Sequence, residues 1–123
     1  MVKPLFDTNI LIDFLAGAIE AGDELARYED PAISVVTWME VMAGTPEATL
    51  EDTRAFLDGF ELIGVDKDIA EDAVEIRRRR RLKLPDAIIW AAARRRGRLL
   101  VTRDTAAFPA DDPGVRIPYK LNS

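Results

Sequence analysis

The stretch whose reading decides the fold is Leu5-Phe6-Asp7-Thr8-Asn9-Ile10-Leu11-Ile12, within MVKPLFDTNILIDFLAG (residues 1–17). A short apolar run ends in an acid, and a second apolar run begins three residues later. The first run predicts a strand from Lys3 to Phe6. The second predicts a helix from Thr8 to Ala16, because Ile10, Leu11, Phe14 and Leu15 recur at helical spacing and Gly17 stops it. Asp7 stands at the joint. It has two readings: a cap that accepts backbone N–H bonds from the helix, or a functional carboxylate placed at a strand end.

The same alternation continues outward. A weaker helix is predicted from Glu20 to Glu29, broken by Asp30-Pro31, and a β-branched strand from Ala32 to Val36. Thr37 then reads as an N-cap with Glu40 in the capping-box position, opening a helix that runs to Gly44. Thr45-Pro46 starts a helix from Glu47 to Asp58, with an apolar face of Leu50, Phe56 and Leu57. A third strand spans Phe60 to Val65. An amphipathic helix follows from Asp66 to about Arg81, with Ile69, Ala73 and Ile76 on one face. Pro85 to Arg96 is apolar nearly all round for two turns, so it belongs in the interior; Gly97 caps it. Arg98 to Val101 gives a fourth strand and Thr105 to Phe108 a helical turn. Val115 to Ile117 gives a fifth strand, at an edge because Pro118 follows. Strands alternating with helices predict an α/β fold in three α/β/α layers. Its sheet is mainly parallel, has four or five strands, and belongs to one domain over residues 1–123.

Composition narrows the chemistry. Apolar residues make up 48% of the chain, enough for a core. The longest uninterrupted apolar run, Ala87 to Ala93, is seven residues, too short to span a membrane. No signal peptide is visible, so a soluble, cytoplasmic protein is expected. With no Cys, disulfides and thiolate metal sites are excluded; with no His, so are imidazole catalysis and Ser-His-Asp triads. Carboxylates, hydroxyls, Lys, Arg or a hard, oxygen-preferring cation remain. The net charge of −5 does not favour nucleic acid in bulk. Arg77 to Arg81, Arg94 to Arg96 and Arg98 nevertheless concentrate positive charge locally.

Ligands in open α/β sheets bind beyond the carboxyl ends of the strands. Asp7 ends strand one, Glu40 lies a turn beyond strand two, and Asp104 lies just past strand four. Asp86 opens the interior helix, whose start belongs at the same edge if it runs antiparallel to the strand it precedes. Each acid alone is explained by a cap, a capping box or a helix dipole. Together they demand four coincidences at one edge. Two like charges about 4 Å apart repel by roughly 4 kcal/mol at an effective dielectric near 20. Such a group therefore needs protonation or a cation. Mg²⁺ or Mn²⁺ suits oxygen ligands and phosphate chemistry, and can activate a water against a phosphodiester.

Four segments carry a resemblance: Phe6-Asp7-Thr8-Asn9, Ser34 to Gly44, Leu84 to Ala93, and Leu100 to Phe108. In this order and spacing they resemble the PIN-domain family, and within it the VapC-type ribonuclease toxins of prokaryotic toxin–antitoxin pairs. The resemblance implies a PIN-like, Rossmann-like fold. It also implies a type II toxin with Mg²⁺- or Mn²⁺-dependent endoribonuclease activity on tRNA, rRNA or mRNA, using one or two ions. Asp7, Glu40, Asp86 and Asp104 match the family's acidic metal site. Thr8, Asn9 and Thr102 are candidates to orient those ligands. A homodimer inhibited by a small antitoxin, whose tail covers the site, is implied as well. Among the arginines, Arg103, Arg78, Arg79 and Arg95 are candidate RNA contacts; the helix-end runs also fit solvated termini or an acidic antitoxin segment.

Two rivals stand beside this reading. One is a non-catalytic binding module on the same fold. The other is a metal-dependent phosphatase of another α/β family, although Asp7-Thr8-Asn9 lacks the Asp-x-Asp of dehalogenase-like enzymes. Gly-rich nucleotide loops are absent from the sequence.

Overall fold

The computed structural model describes residues 1–121. Its sheet has five parallel strands in the order β3-β2-β1-β4-β5. They are β1 (Pro4–Phe6), β2 (Ala32–Ser34), β3 (Glu61–Ile63), β4 (Leu99–Val101) and β5 (Val115–Arg116). The helices are α1 (Thr8–Leu15), α2 (Ile19–Ala26), α3 (Val35–Ala43), α4 (Leu50–Leu57), α5 (Lys67–Arg80) and α6 (Leu84–Arg95). A short 3₁₀ turn, Glu47–Thr49, precedes α4.

Strand side chains alternate between the two faces, and each face has its own core. Leu5, Ala32 and Leu100 pack with Ile69, Ala73 and Ile76 of α5 and with α6. Phe6, Ile33 and Val101 pack with Ile10 and Leu11 of α1, Ala21 of α2 and Leu57 of α4. The result is the expected three-layer α/β arrangement. Helix α6 is interior as its composition predicts: Ala87, Ile89, Trp90, Ala91, Ala92 and Ala93 are all buried. Arg81 closes α5 in the left-handed region (φ +55°) and turns the chain back so that α6 returns alongside α5.

Several boundaries differ from expectation. The second strand ends at Ser34, not Val36, because the Ser34 hydroxyl accepts from Val36 N–H (3.1 Å) and starts α3 three residues early. Thr37 is therefore not the cap and Glu40 is not in a capping box. Thr37 is buried inside the helix. On α1, Phe14 and Leu15 are 38% and 43% exposed, and the buried face holds Ile10, Leu11 and an acid, Asp13. The expected helix over 47–58 begins as a 3₁₀ turn. The third and fifth strands are shorter than expected by their outer residues.

The chain steps from β1 to β2 to β3, then crosses to β4 on the other side of β1. The switch point lies between β1 and β4. Binding crevices open at the carboxyl ends of strands at such a point.

Candidate functional site

Asp7 ends β1 at this crevice. Its N–H continues the ladder to the Val101 carbonyl (2.9 Å), so its backbone is fixed by β4. Its carboxylate caps α1, accepting from Thr8 N–H at 2.8 Å on Oδ1. Capping is thus real, but it leaves Oδ2, which accepts from the Thr102 hydroxyl (2.7 Å) and the Asn9 amide (3.2 Å). Thr102 follows β4 and in turn accepts from Asp104 N–H (3.0 Å). The two strand ends are stitched together through these side chains.

Glu40 reaches the same corner from α3. The Thr8 hydroxyl donates to Glu40 Oε1 (2.7 Å) and lies 3.0 Å from the buried Thr37 hydroxyl. Asp86, half-buried, opens α6. Asp104 Oδ1 accepts from Ala106 and Ala107 N–H (both 3.1 Å), a turn anchored by the fully buried Phe108.

Electrostatics tie the acids together. Burial pushes the Asp7 carboxyl up to about 6, and repulsion from Asp86 and Asp104 adds to this against the opposing bonds from Thr102 and Thr8. Asp86 is also raised, by burial first and then by Asp104 and Glu40; Lys83 partly offsets them. All four acids therefore share one field. Among the described residues, no three carboxylates stand close enough to grip a single ion directly. The donor set still fits a hard divalent cation. It offers only oxygens, and Asp7 is 4% exposed with hydroxyl, amide and N–H partners but no cation. Mg²⁺ in particular keeps several waters and needs few protein ligands.

Three of the four candidate arginines are held by carboxylates. Arg103 lies beside Asp104, but its guanidinium forks onto Asp13 (2.6 and 2.9 Å). Arg95 pairs with Asp72 of α5 at the far end of α6, nine residues and about 13 Å from Asp86. Arg79 is held by Glu75 on its own helix. A guanidinium held by a nearby carboxylate is the better-satisfied arrangement, which explains all three. Arg78 is exposed and lines a shallow cleft with Val74, Arg77 and Leu84. Composition and spacing missed Lys83, the cation that acts on Asp86, although its place three residues upstream was a usable signal. They also missed Asp13 and Glu24, two buried acids.

A parallel α/β domain with carboxylates gathered at its topological switch point is the class that these observations define. The model of the PIN domain matches residues 5–110, and this chain belongs to that family. One similar structure is a chain from a toxin–antitoxin complex of Klebsiella pneumoniae. It is 46% identical with a TM-score of 0.90, the match covering 96% of this chain and 99% of that one. A chain of the DNA-bound VapBC from Salmonella typhimurium is 25% identical with a TM-score of 0.78, over 94% and 96% of the two chains. The FitAcB structure from Neisseria gonorrhoeae shares the fold at 23% identity and a TM-score of 0.80, over 98% and 100%. No curated protein matches the chain.

Proposed function

We propose that this protein is the toxin of a type II toxin–antitoxin pair, a Mg²⁺- or Mn²⁺-dependent endoribonuclease whose ligands come from Asp7, Asp86, Glu40 and Asp104. The observation that carries the reading is Asp7. It is a carboxylate withdrawn from water, repelled by two others and given no cation of its own. A divalent ion held there supplies charge neutralisation and an activated water at an RNA phosphodiester. The chain's own part is positional. Thr8, Asn9 and Thr102 fix the Asp7 oxygens, and Thr8 turns Glu40 toward the same corner. Lys83, whose charge acts on Asp86, and Arg78, exposed in the cleft it shares with Leu84, are the cations we assign to RNA phosphates.

The antitoxin partner is supported by the 46% identity between this chain and one chain of a toxin–antitoxin complex. A groove of about 410 Å³ beside Glu40, lined by Ile12, Leu15, Val41 and Pro46, offers apolar surface to such a partner. A homodimer completes the proposal.

Purified protein is incubated with a structured RNA in Mg²⁺, in Mn²⁺ and in EDTA. Cleavage is expected only with metal, and at least about 100-fold more slowly in Asp7→Asn and Asp86→Asn. Undiminished cutting by Asp7→Asn overturns the assignment. Hydrolysis of a small phosphomonoester instead of RNA points to the phosphatase alternative.

A further inference from the structure

We propose that Arg103 is a positioning residue: by forking onto Asp13 it ties the Thr102–Asp104 loop to α1, across the crevice. The proposal rests on reading the acidic edge as a metal site. The last ladder bond beyond β4 is Thr102 N–H to the Arg116 carbonyl (3.0 Å). After that the loop leaves the sheet, and the next backbone N–H, that of Arg103, goes to the Asn9 side chain (3.2 Å). The guanidinium then takes both Asp13 oxygens through Nε (2.6 Å) and Nη2 (2.9 Å). Asp13 is 7% exposed, and its Oδ2 also accepts from the Tyr119 hydroxyl (2.8 Å).

The position of this fork gives it a role beyond cohesion. Asp13 sits on α1, the helix that Asp7 caps and that carries Thr8 and Asn9. Arg103 sits between Thr102 and Asp104. One bidentate pair thus joins the element presenting Asp7 to the loop presenting Thr102 and Asp104. Planar two-point contact fixes orientation as well as distance, which a lysine cannot do. The same geometry commits the Nε–Nη2 edge of Arg103 to Asp13 and leaves only its Nη1 side to meet a phosphate.

The experiment uses the intact protein, well below its melting temperature. Arg103→Ala, Arg103→Lys and Asp13→Asn are compared with wild type for Mn²⁺ affinity by titration calorimetry, and for kcat and KM on RNA. Each variant is expected to bind Mn²⁺ about tenfold more weakly and to lose about 10- to 100-fold in kcat at unchanged KM. The double variant Asp13→Asn/Arg103→Ala is expected to be no worse than the weaker single one, to within about threefold. A raised KM with unchanged Mn²⁺ affinity would make Arg103 a phosphate contact and overturn the proposal. So would folded variants whose melting point falls while Mn²⁺ affinity and kcat hold. If Arg103→Ala does not fold, Arg103→Lys and the milder Tyr119→Phe carry the same test. A wild type that neither binds Mn²⁺ nor cuts RNA overturns the metal-site reading and this proposal with it. Wild-type binding matched by all variants overturns this proposal alone.

Discussion

Asp7 and Glu24 each expose only 4% of their surface, Asp7 lying the deeper among protein atoms, and their acidities move in opposite directions. Burial works to raise both. At Glu24 it is outweighed by hydrogen bonds from Arg116 (2.7 and 3.0 Å) and Tyr28 (2.9 Å) and by the charges of Arg116 and Arg27, so that carboxyl ends below its usual range. At Asp7 the partners are a threonine hydroxyl, an amide and one N–H, the nearby charges are negative, and the carboxyl rises to about 6. Asp13 follows the Glu24 pattern in its contacts, with Arg103 and Tyr119 about it. The lesson is that this fold can pair a buried acid when the acid is structural. Asp7 has no cation among its partners, which is why we propose it as the group that receives a divalent ion.

The sharpest way to break this contrast is through pH. Folded Asp7 holds its proton to about pH 6, whereas the unfolded chain releases it near 3.8. Between those values the folded state binds more protons, so this group's contribution to stability falls as pH rises. Over some two pH units the fall is about 3 kcal/mol. Asp7→Asn is expected to remove that slope from urea unfolding measured between pH 4 and pH 7. An unchanged slope would show that Asp7 is not the strained acid.

The next test inverts the first. Arg116→Ala strips Glu24 of its bidentate partner, leaving Arg27 at 3.6 Å, and is expected to destabilise the chain by about 2–3 kcal/mol at pH 7. That lies below the cost of breaking a fully buried pair, because Arg116 keeps a third of its side chain in water. A loss under about 0.5 kcal/mol would place the pair with ordinary surface bridges. The smallest effect is expected at such a bridge: Arg79→Ala, whose side chain is 78% exposed, should shift unfolding by less than about 0.5 kcal/mol. A larger shift would mean that Arg79 does more than bridge to Glu75, as Arg80 does by lying 4.6 Å over the Trp90 ring.

The sequence made one member of this comparison visible and hid the other. Asp7 could be found because its placement is local: an apolar strand, an acid and a helix lie within ten residues, and strand-end position follows from that order. Asp86, Glu40 and Asp104 became interpretable through the same edge rule. Asp13 and Glu24 were not legible, because the residues that explain them stand 90 and 92 positions away. Helical spacing alone put Phe14 and Leu15 on the buried face, where the structure has Asp13 with its distant arginine. The misplaced cap also depends on a distant strand. Ser34 and Thr37 are both good caps; the pairing of β2 with β3 ends at Ser34, whose hydroxyl then takes Val36 N–H. The partners of the second arginine run were hidden in the same way: Arg95 and Arg96 meet Asp72 on α5 and Asp66 at its cap, which sequence spacing does not align with them.

The central claim is that Asp7 is a carboxylate waiting for a divalent ion, and thermal unfolding of metal-stripped protein across a Mn²⁺ series at pH 7 tests it most directly. The account predicts that the wild-type midpoint climbs steadily with Mn²⁺, by the equivalent of about 2.7 kcal/mol at 100 times the dissociation constant. Asp7→Asn should show no climb. A wild-type midpoint indifferent to Mn²⁺, or an equal climb in both proteins, would contradict the claim.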